Sequence, residues 1–279
     1  HWLERLKQRA LNKADFLEIM EYGRQKGVIC FASTHNEYDL VELAEAGMPV
    51  LKIGSGDSNN FRMIDIALDT GKPVILSLGL LPESEVFRIL ERYKSYHDQL
   101  VIMHCTTLYP TPPEYANLRL LKKMHDEYPD FIYGYSDHVD GITSSLAAAT
   151  LPRVALIEKH FCFPGHRIKP KFESWDINVA LTADEFKELL KGLSDVHLLF
   201  SPQVDENEIL KNKQWASKAI CARRDLRKGE IIQPDDLMSL RPYDKEKGHI
   251  AIDRFDELIG RKLKGDVRKG DYLVDNFLT

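Results

Sequence analysis

Two histidines set 22 positions apart, His138 and His160, each follow a short apolar run, Ile132-Tyr-Gly-Tyr-Ser-Asp-His and Leu156-Ile-Glu-Lys-His. The segment Gly141 to Thr150 between them reads as a helix. A strand–helix–strand unit of this kind returns the second strand parallel to the first, so both imidazoles stand at the carboxyl ends of neighbouring strands. Barrel enzymes carry their chemistry at that end. Two neutral imidazoles on one rim can hold a divalent metal and leave positions open for water and substrate. The alternative is a structural histidine on each strand, bonded to backbone. The pair at this spacing favours the metal.

A second group suits an anion. Lys52-Ile-Gly-Ser-Gly-Asp57 follows a strand, and its glycines let main-chain amides, Ser55 and the Lys52 ammonium approach a phosphate. A short glycine-rich loop is equally often only a tight turn. Ser77 ends the next strand and offers a hydroxyl, either to a ligand or to its own backbone. In His104-Cys-Thr-Thr-Leu-Tyr-Pro110, Cys105 has no evident base partner and reads as a buried thiol. Tyr109 is a packing aromatic or a substrate contact. Asp137 either orients an imidazole or caps a helix. Lys159 alternates with its neighbours and is expected to pack outward.

The elements that must position these groups alternate regularly. Strands are expected at 28–32, 50–53, 74–78, 100–104, 131–135 and 154–158, with amphipathic helices between them and a further helix over 182–193. Residues 1–27 read as helical. Short apolar strands alternating with helices give a parallel sheet covered on both faces. Thr34, Ser55, Ser77, Thr106, Ser136 and His160 each come just after a strand, as though converging on one centre. That favours a (β/α)8 TIM barrel over a doubly wound sheet, with the first two strands preceding His1.

Residues 200–216 show no apolar periodicity and read as a linker between a domain at 1–199 and a small one at 217–279. In the latter, Asp225-Leu-Arg-Lys-Gly-Glu is echoed 41 residues later by Asp266-Val-Arg-Lys-Gly-Asp. Lys-Gly between β-prone runs reads as a tight reversal with glycine at positive φ. The tail is expected to be a small, pseudo-symmetric β module.

The formal net charge of −5 argues against general nucleic-acid binding, and no apolar run reaches membrane-spanning length. Cys30, Cys105, Cys162 and Cys221 form no CxxC pair, which fits reduced thiols in a cytoplasm. No leader is visible, although the sequence starts at His1 rather than Met.

In order along the chain, Lys52-Ile-Gly-Ser-Gly-Asp-Ser-Asn-Asn-Phe61, His104-Cys-Thr, Tyr109-Pro-Thr-Pro112, Gly134-Tyr-Ser-Asp-His138 and Glu158-Lys-His-Phe161 resemble the sialic acid (N-acetylneuraminate) synthase family. The tail, with Arg241-Pro242, resembles that family's antifreeze-like (SAF) domain. The resemblance implies condensation of phosphoenolpyruvate with an N-acylated hexosamine to give a nine-carbon 2-keto-3-deoxy acid and phosphate, in bacterial surface-polysaccharide biosynthesis. It implies Mn2+ or Mg2+ on His138 and His160, and phosphoenolpyruvate against Thr34, Lys52, Ser55, Ser77, Tyr109 and Ser136. It also implies a domain-swapped homodimer in which Arg241 reaches the sugar's acyl group in the partner's barrel, and a sugar contact at Asp176.

The sequence departs from the family's pattern in four places. The opening strands of the family supply a glutamate and a phosphate-binding lysine that are not among these residues, so the chain as written is expected to be inactive. Thr107 stands where asparagine is usual, and Asp57 where glutamate is common. Leu78-Gly79-Leu80 replaces Thr-Gly-Met. The loop Cys162 to Pro170, with Glu173-Ser-Trp-Asp176, replaces the usual sugar-binding loop, so the sugar is expected to differ from N-acetylmannosamine. Two other readings are a metal-dependent barrel aldolase or epimerase that does not use phosphoenolpyruvate, and a non-catalytic sugar- or phosphate-binding homologue.

Overall fold

The computed structural model describes residues 10–165, 175–201 and 205–277. The chain divides into two compact units, residues 1–201 and 202–279. In the first, α1 (Lys13–Gln25) and α2 (Glu37–Glu45) precede an alternating series. The series runs β1 (Leu51–Ile53), α3 (Phe61–Asp69), β2 (Val74–Ser77), α4 (Glu83–Tyr93), β3 (Leu100–Cys105), α5 (Leu118–Glu127), β4 (Ile132–Asp137), α6 (Thr143–Ala149), β5 (Val154–Lys159) and α7 (Ala183–Leu199).

All five strands pair in parallel, in the order β1-β2-β3-β4-β5. A doubly wound sheet reverses its order at a switch point. This sheet keeps sequence order throughout, which is the TIM-barrel arrangement. Single parallel bridges extend it at both sides, Ser33 with Lys52 and Phe161 with Leu181.

The strands of β1 and β2 are buried along their whole length, which is why they read as continuous apolar runs. The helices cover them with one stripe each: Met63, Ile64, Ala67 and Leu68 on α3, Val86, Ile89, Leu90 and Tyr93 on α4, and Leu120, Leu121 and Met124 on α5. These recur at three- and four-residue intervals, one face of a helix. Gly134 permits close packing inside β4, because a Cβ there would lie 2.1 Å from Met103 Sδ and 3.0 Å from the Leu156 carbonyl. The sheet register shifts at that point, between Tyr133 and Gly134.

One expected strand is absent. Residues 28–32 pair only through the adjoining Ser33 bridge. Their main-chain donors go elsewhere: Val28 N–H to the Gly23 carbonyl at the end of α1, and Ala32 N–H to Met48 Sδ. Val28 and Ile29 are 57% and 68% exposed, so β-prone side chains there have no sheet face to pack on. Helix α7 runs past the expected end at 193 to Leu199, from a capping box formed by Thr182 and Glu185. Among the described residues no helix is long and apolar enough to cross a membrane. Residues 1–9 of the expected first helix lie outside the described residues.

The second unit begins with α8 (Glu206–Ala216), inside the stretch that reads as a linker. The Asp205 carboxylate caps it, accepting from Asn207 and Glu208 N–H. Strands β6 (Ala219–Ala222) and β7 (Leu237–Leu240) pair antiparallel. Short bridges complete the module, and Ile220, Leu226, Ile232, Ile250, Leu263, Val267 and Leu273 belong to its core.

The two repeats meet each other. Leu226 and Val267 exchange main-chain hydrogen bonds of 2.8 and 2.9 Å. Asp225 accepts from Lys269 N–H at 2.8 Å, and Asp266 accepts from Lys228 N–H at 2.7 Å. Gly229 and Gly270 each turn the chain at φ +89°.

Candidate active site

Alternation along β4 and β5 divides their carboxyl ends into two faces. Ser136, His138, Glu158 and His160 belong to one, and Asp137 and Lys159 to the other. On the first face the His138 and His160 ring centres are 5.3 Å apart. The Tyr109 ring lies 4.2 Å from that of His138 and 5.7 Å from that of His160. His138 Nδ1 is 2.8 Å from the Thr106 carbonyl. A carbonyl only accepts, so Nδ1 carries the hydrogen and Nε2 keeps its lone pair. Burial holds His138 below the ordinary imidazole range, which keeps it neutral. Burial, reinforced by the negative charges of Asp176 and Glu158, pushes the Tyr109 phenol up to about 12, so its hydroxyl remains a donor.

Beside the rings lies a chain of polar side chains from four strands. Lys52 Nζ donates to Ser77 Oγ at 2.7 Å and sits 3.6 Å from Glu158 Oε2. Ser136 Oγ donates to the other Glu158 oxygen at 2.6 Å. Ser55 Oγ accepts from Gly79 N–H at 3.0 Å and lies 3.3 Å from Cys105 Sγ. A Cβ at Gly79 would meet Cys105 Sγ at 2.2 Å and Thr107 Oγ1 at 2.6 Å, so only glycine brings that amide in. Burial pushes the Cys105 thiol up, which leaves it protonated and unreactive. Glu158 acts electrostatically on Cys105, Tyr109 and His138 alike, so these groups share one centre.

The hydroxyls of Thr34 and Thr107 are buried and have no hydrogen-bond partner. Each such orphan costs roughly 1–3 kcal/mol, a cost that a bound polar ligand would remove.

Of the residues singled out from sequence, His138, His160, Tyr109, Lys52, Ser55, Ser77, Thr107 and Ser136 therefore come together. Asp57 lies in a single turn after β1, its carboxylate 3.4 Å from His35 Nδ1. Asp176 stands 4.0 Å from His160 Nδ1. Residues 166–174 of the loop between them lie outside the described residues. Arg241 belongs to the second unit, where it is exposed and its carbonyl accepts from Tyr272 Oη at 2.7 Å.

Two residues carry more than their sequence reading allowed. Glu158 was legible: it lies two positions before His160, and period two puts both on one face. Lys159 faces away from the histidines, as alternation predicts, but it meets a charged partner there. Its side chain is fully buried and pairs with Asp137 at 3.2 Å. Asp137 in turn accepts from Ser144 and Ser145 in the first turn of α6 and from Val139 N–H, so it acts as a helix anchor and not as a partner of the His138 ring.

Two imidazoles that each bind one ion at about 2 Å put their ring centres roughly 5 Å apart. The observed 5.3 Å and the free Nε2 of His138 fit that requirement. Among the described residues no third His, Cys, Asp or Glu completes a cluster around them. An ion held there would take two nitrogens from the described residues and keep positions for small ligands.

Residues 1–204 match the model of the NeuB family, and residues 217–279 that of the SAF domain. The chain is 29% identical to a pseudaminic acid synthase of Campylobacter jejuni over 92% of its own length and 72% of that protein's. It is 27% identical to the N-acetylneuraminate-9-phosphate synthase of Homo sapiens, over 94% of this chain and 71% of the other. Among solved structures it is similar to an N-acetylneuraminic acid (sialic acid) synthetase from Leptospira borgpetersenii in complex with citrate. The TM-score is 0.65 and the identity 28%, over 74% of this chain and 72% of that one.

Proposed function

This chain belongs to the NeuB family, and we propose that it condenses phosphoenolpyruvate with an N-acylated hexosamine-type aldose to give a nonulosonic acid and phosphate. The observation that carries the reading is the buried Lys52, with Ser77, Ser136 and Glu158 around it, alongside two imidazoles 5.3 Å apart. An anion pocket next to a pair of metal-ready nitrogens is what this reaction needs.

Lys52, Ser55, Ser77, Ser136 and the Gly79 amide hold the phosphate and carboxylate of phosphoenolpyruvate. The unpaired hydroxyls of Thr34 and Thr107 supply two further contacts, the latter toward the sugar. Fixing both reactants turns a bimolecular step into an effectively unimolecular one. C3 of phosphoenolpyruvate then bonds to the sugar's aldehyde carbon, water adds at C2, and cleavage of the C2–oxygen bond releases phosphate. The Tyr109 ring lies beside both imidazoles, and its protonated hydroxyl donates to an oxygen as charge develops. Glu158 keeps Lys52 and Ser136 in position.

His138 and His160 would hold Mn2+ or Mg2+, which supplies Lewis-acid polarisation of the aldehyde. Asp57, Asp176 and Arg241 contact the sugar, Arg241 from the partner subunit of a domain-swapped homodimer whose barrel is residues 1–199, linker 200–216 and SAF module 217–279. The unpaired pattern of the cysteines supports a cytoplasmic setting.

The test is phosphate release by the full-length protein across a panel of acylated hexosamines. Release that needs the sugar, phosphoenolpyruvate and Mn2+ together is expected. Turnover of sugar without phosphoenolpyruvate would replace this reading with an aldolase or epimerase, and tight binding without turnover would replace it with a binding protein.

A further inference from the structure

The second face of β4 and β5 carries a buried ion pair that the proposed chemistry does not use. Asp137 and Lys159 are the last residues of their strands and are partners in the sheet register. Each immediately precedes one of the two histidines. Both side chains are fully buried, with the ammonium 3.2 Å from Asp137 Oδ2.

The pair also closes around His138. Asp137 Oδ1 accepts the Val139 N–H at 2.8 Å, while Lys159 Nζ donates to the Val139 carbonyl. Asp137 Oδ2 takes further bonds from Ser144 Oγ at 2.8 Å and Ser145 Oγ at 2.6 Å. The His138 carbonyl accepts from Thr111 N–H at 2.8 Å. The main chain around His138 is therefore fastened, and fastened to the strand that leads into His160.

Burying two charges costs more than their attraction commonly returns, so an apolar or neutral pair of similar volume would hold the fold as well. What such a replacement would lose is the fixed height of one strand end against the other. The histidines sit one residue past the last paired positions of the ladder, Asp137 and Lys159, so no ladder pairing fixes one histidine against the other. We propose that Asp137 and Lys159 are positioning residues: a buried strap that sets the separation of His138 and His160. This rests on the reading that the two histidines bind one ion.

The experiment measures Mn2+ affinity from the electron paramagnetic resonance signal of the free ion, together with the thermal midpoint, in the full-length protein. The variants are Lys159→Met, the neutral double variant Asp137→Asn with Lys159→Met, Ser145→Ala and His138→Ala. Outer partners of ligands typically contribute ~10–100-fold to metal affinity, and a loss in that range is expected for Lys159→Met and for the double variant. The double variant is expected to keep a thermal midpoint near that of the parent, which separates positioning from stability.

Ser145→Ala removes one hydroxyl and leaves Ser144, the Val139 amide and Lys159 on the carboxylate. Loss of that single bond is expected to weaken Mn2+ binding by about threefold. A folded double variant, or Ser145→Ala, with unchanged Mn2+ affinity overturns the strap. His138→Ala is the reference. If it too retains full affinity, the reading of His138 as a ligand fails and takes the strap with it. If it loses binding while the strap variants do not, only the strap fails.

Discussion

The carboxyl ends of β4 and β5 each give a carboxylate to a lysine–carboxylate pair, one on each face: Glu158 with Lys52 of β1, and Asp137 with Lys159. Lys52 and Glu158 stand 3.6 Å apart, with the glutamate side chain 42% exposed. Lys159 and Asp137 stand 3.2 Å apart with no exposure at either side chain. Around Asp137, two hydroxyls, an amide and an ammonium fill the carboxylate's acceptor capacity. Around Lys52, one hydroxyl and a distant carboxylate leave donor capacity for something else. A saturated pair fixes geometry, and an unsaturated one can receive an anion. Proximity of opposite charges does not tell the two apart; the count of satisfied donors and acceptors does.

Substituting each lysine by alanine is the strongest way to break this contrast. Lys159→Ala strands a buried carboxylate and is expected to cost about 3–5 kcal/mol of stability, read by denaturant unfolding. Lys52→Ala leaves a partly exposed glutamate and is expected to cost only about 1 kcal/mol. Its phosphate release from phosphoenolpyruvate is expected to fall by at least ~100-fold. Equal stability losses in the two variants would show that the faces do not differ.

Glu158→Gln sharpens the comparison from the other partner. It keeps an acceptor for Ser136 but removes the charge beside Lys52. kcat is expected to fall about tenfold. KM for phosphoenolpyruvate should not rise, because repulsion against the incoming anion disappears with the carboxylate.

Smaller effects come from titration. Burial lowers the folded pKa of His138 below its ordinary 6.5, so the folded chain takes up that proton less readily than the unfolded one. Its contribution to stability is complete above about pH 6.5 and is lost as pH falls through the lowered folded value. A thermal scan series should show that decline, and His138→Gln should flatten it. Smallest is Tyr109, whose phenol ionises only near about 12. Absorbance titration should therefore find no phenolate from this residue at pH 10, and Tyr109→Phe should leave the phenolate band at that pH unchanged.

Much of the fold was legible because β1 to β4 are largely buried on both sides and so read as apolar runs between periodic helices. Val28-Ile-Cys-Phe-Ala32 has the same composition, yet its amides are spent on Gly23 and Met48. A ladder needs neighbours, and composition cannot report them. In the site, the histidines and Lys52 announced themselves by residue type and by their place at strand ends. Lys159 was read only as facing away, because alternation gives a direction and says nothing of what waits there. Its partner Asp137 is adjacent in space through the register, a relation between strands that one strand's sequence does not contain. The orphan hydroxyls of Thr34 and Thr107 emerged only with three-dimensional burial.

The twin Asp–Leu/Val–Arg–Lys–Gly turns of the second unit carry a consequence for how that unit can be divided. Each aspartate ties down the turn of the opposite repeat, not its own. A fragment holding one repeat would therefore lack the carboxylate that closes its own bend, however faithfully it kept its local sequence. Neither half is a seed on which the other can later condense; both must assemble in the same step, so scission anywhere between them should yield two unstructured peptides instead of one folded half.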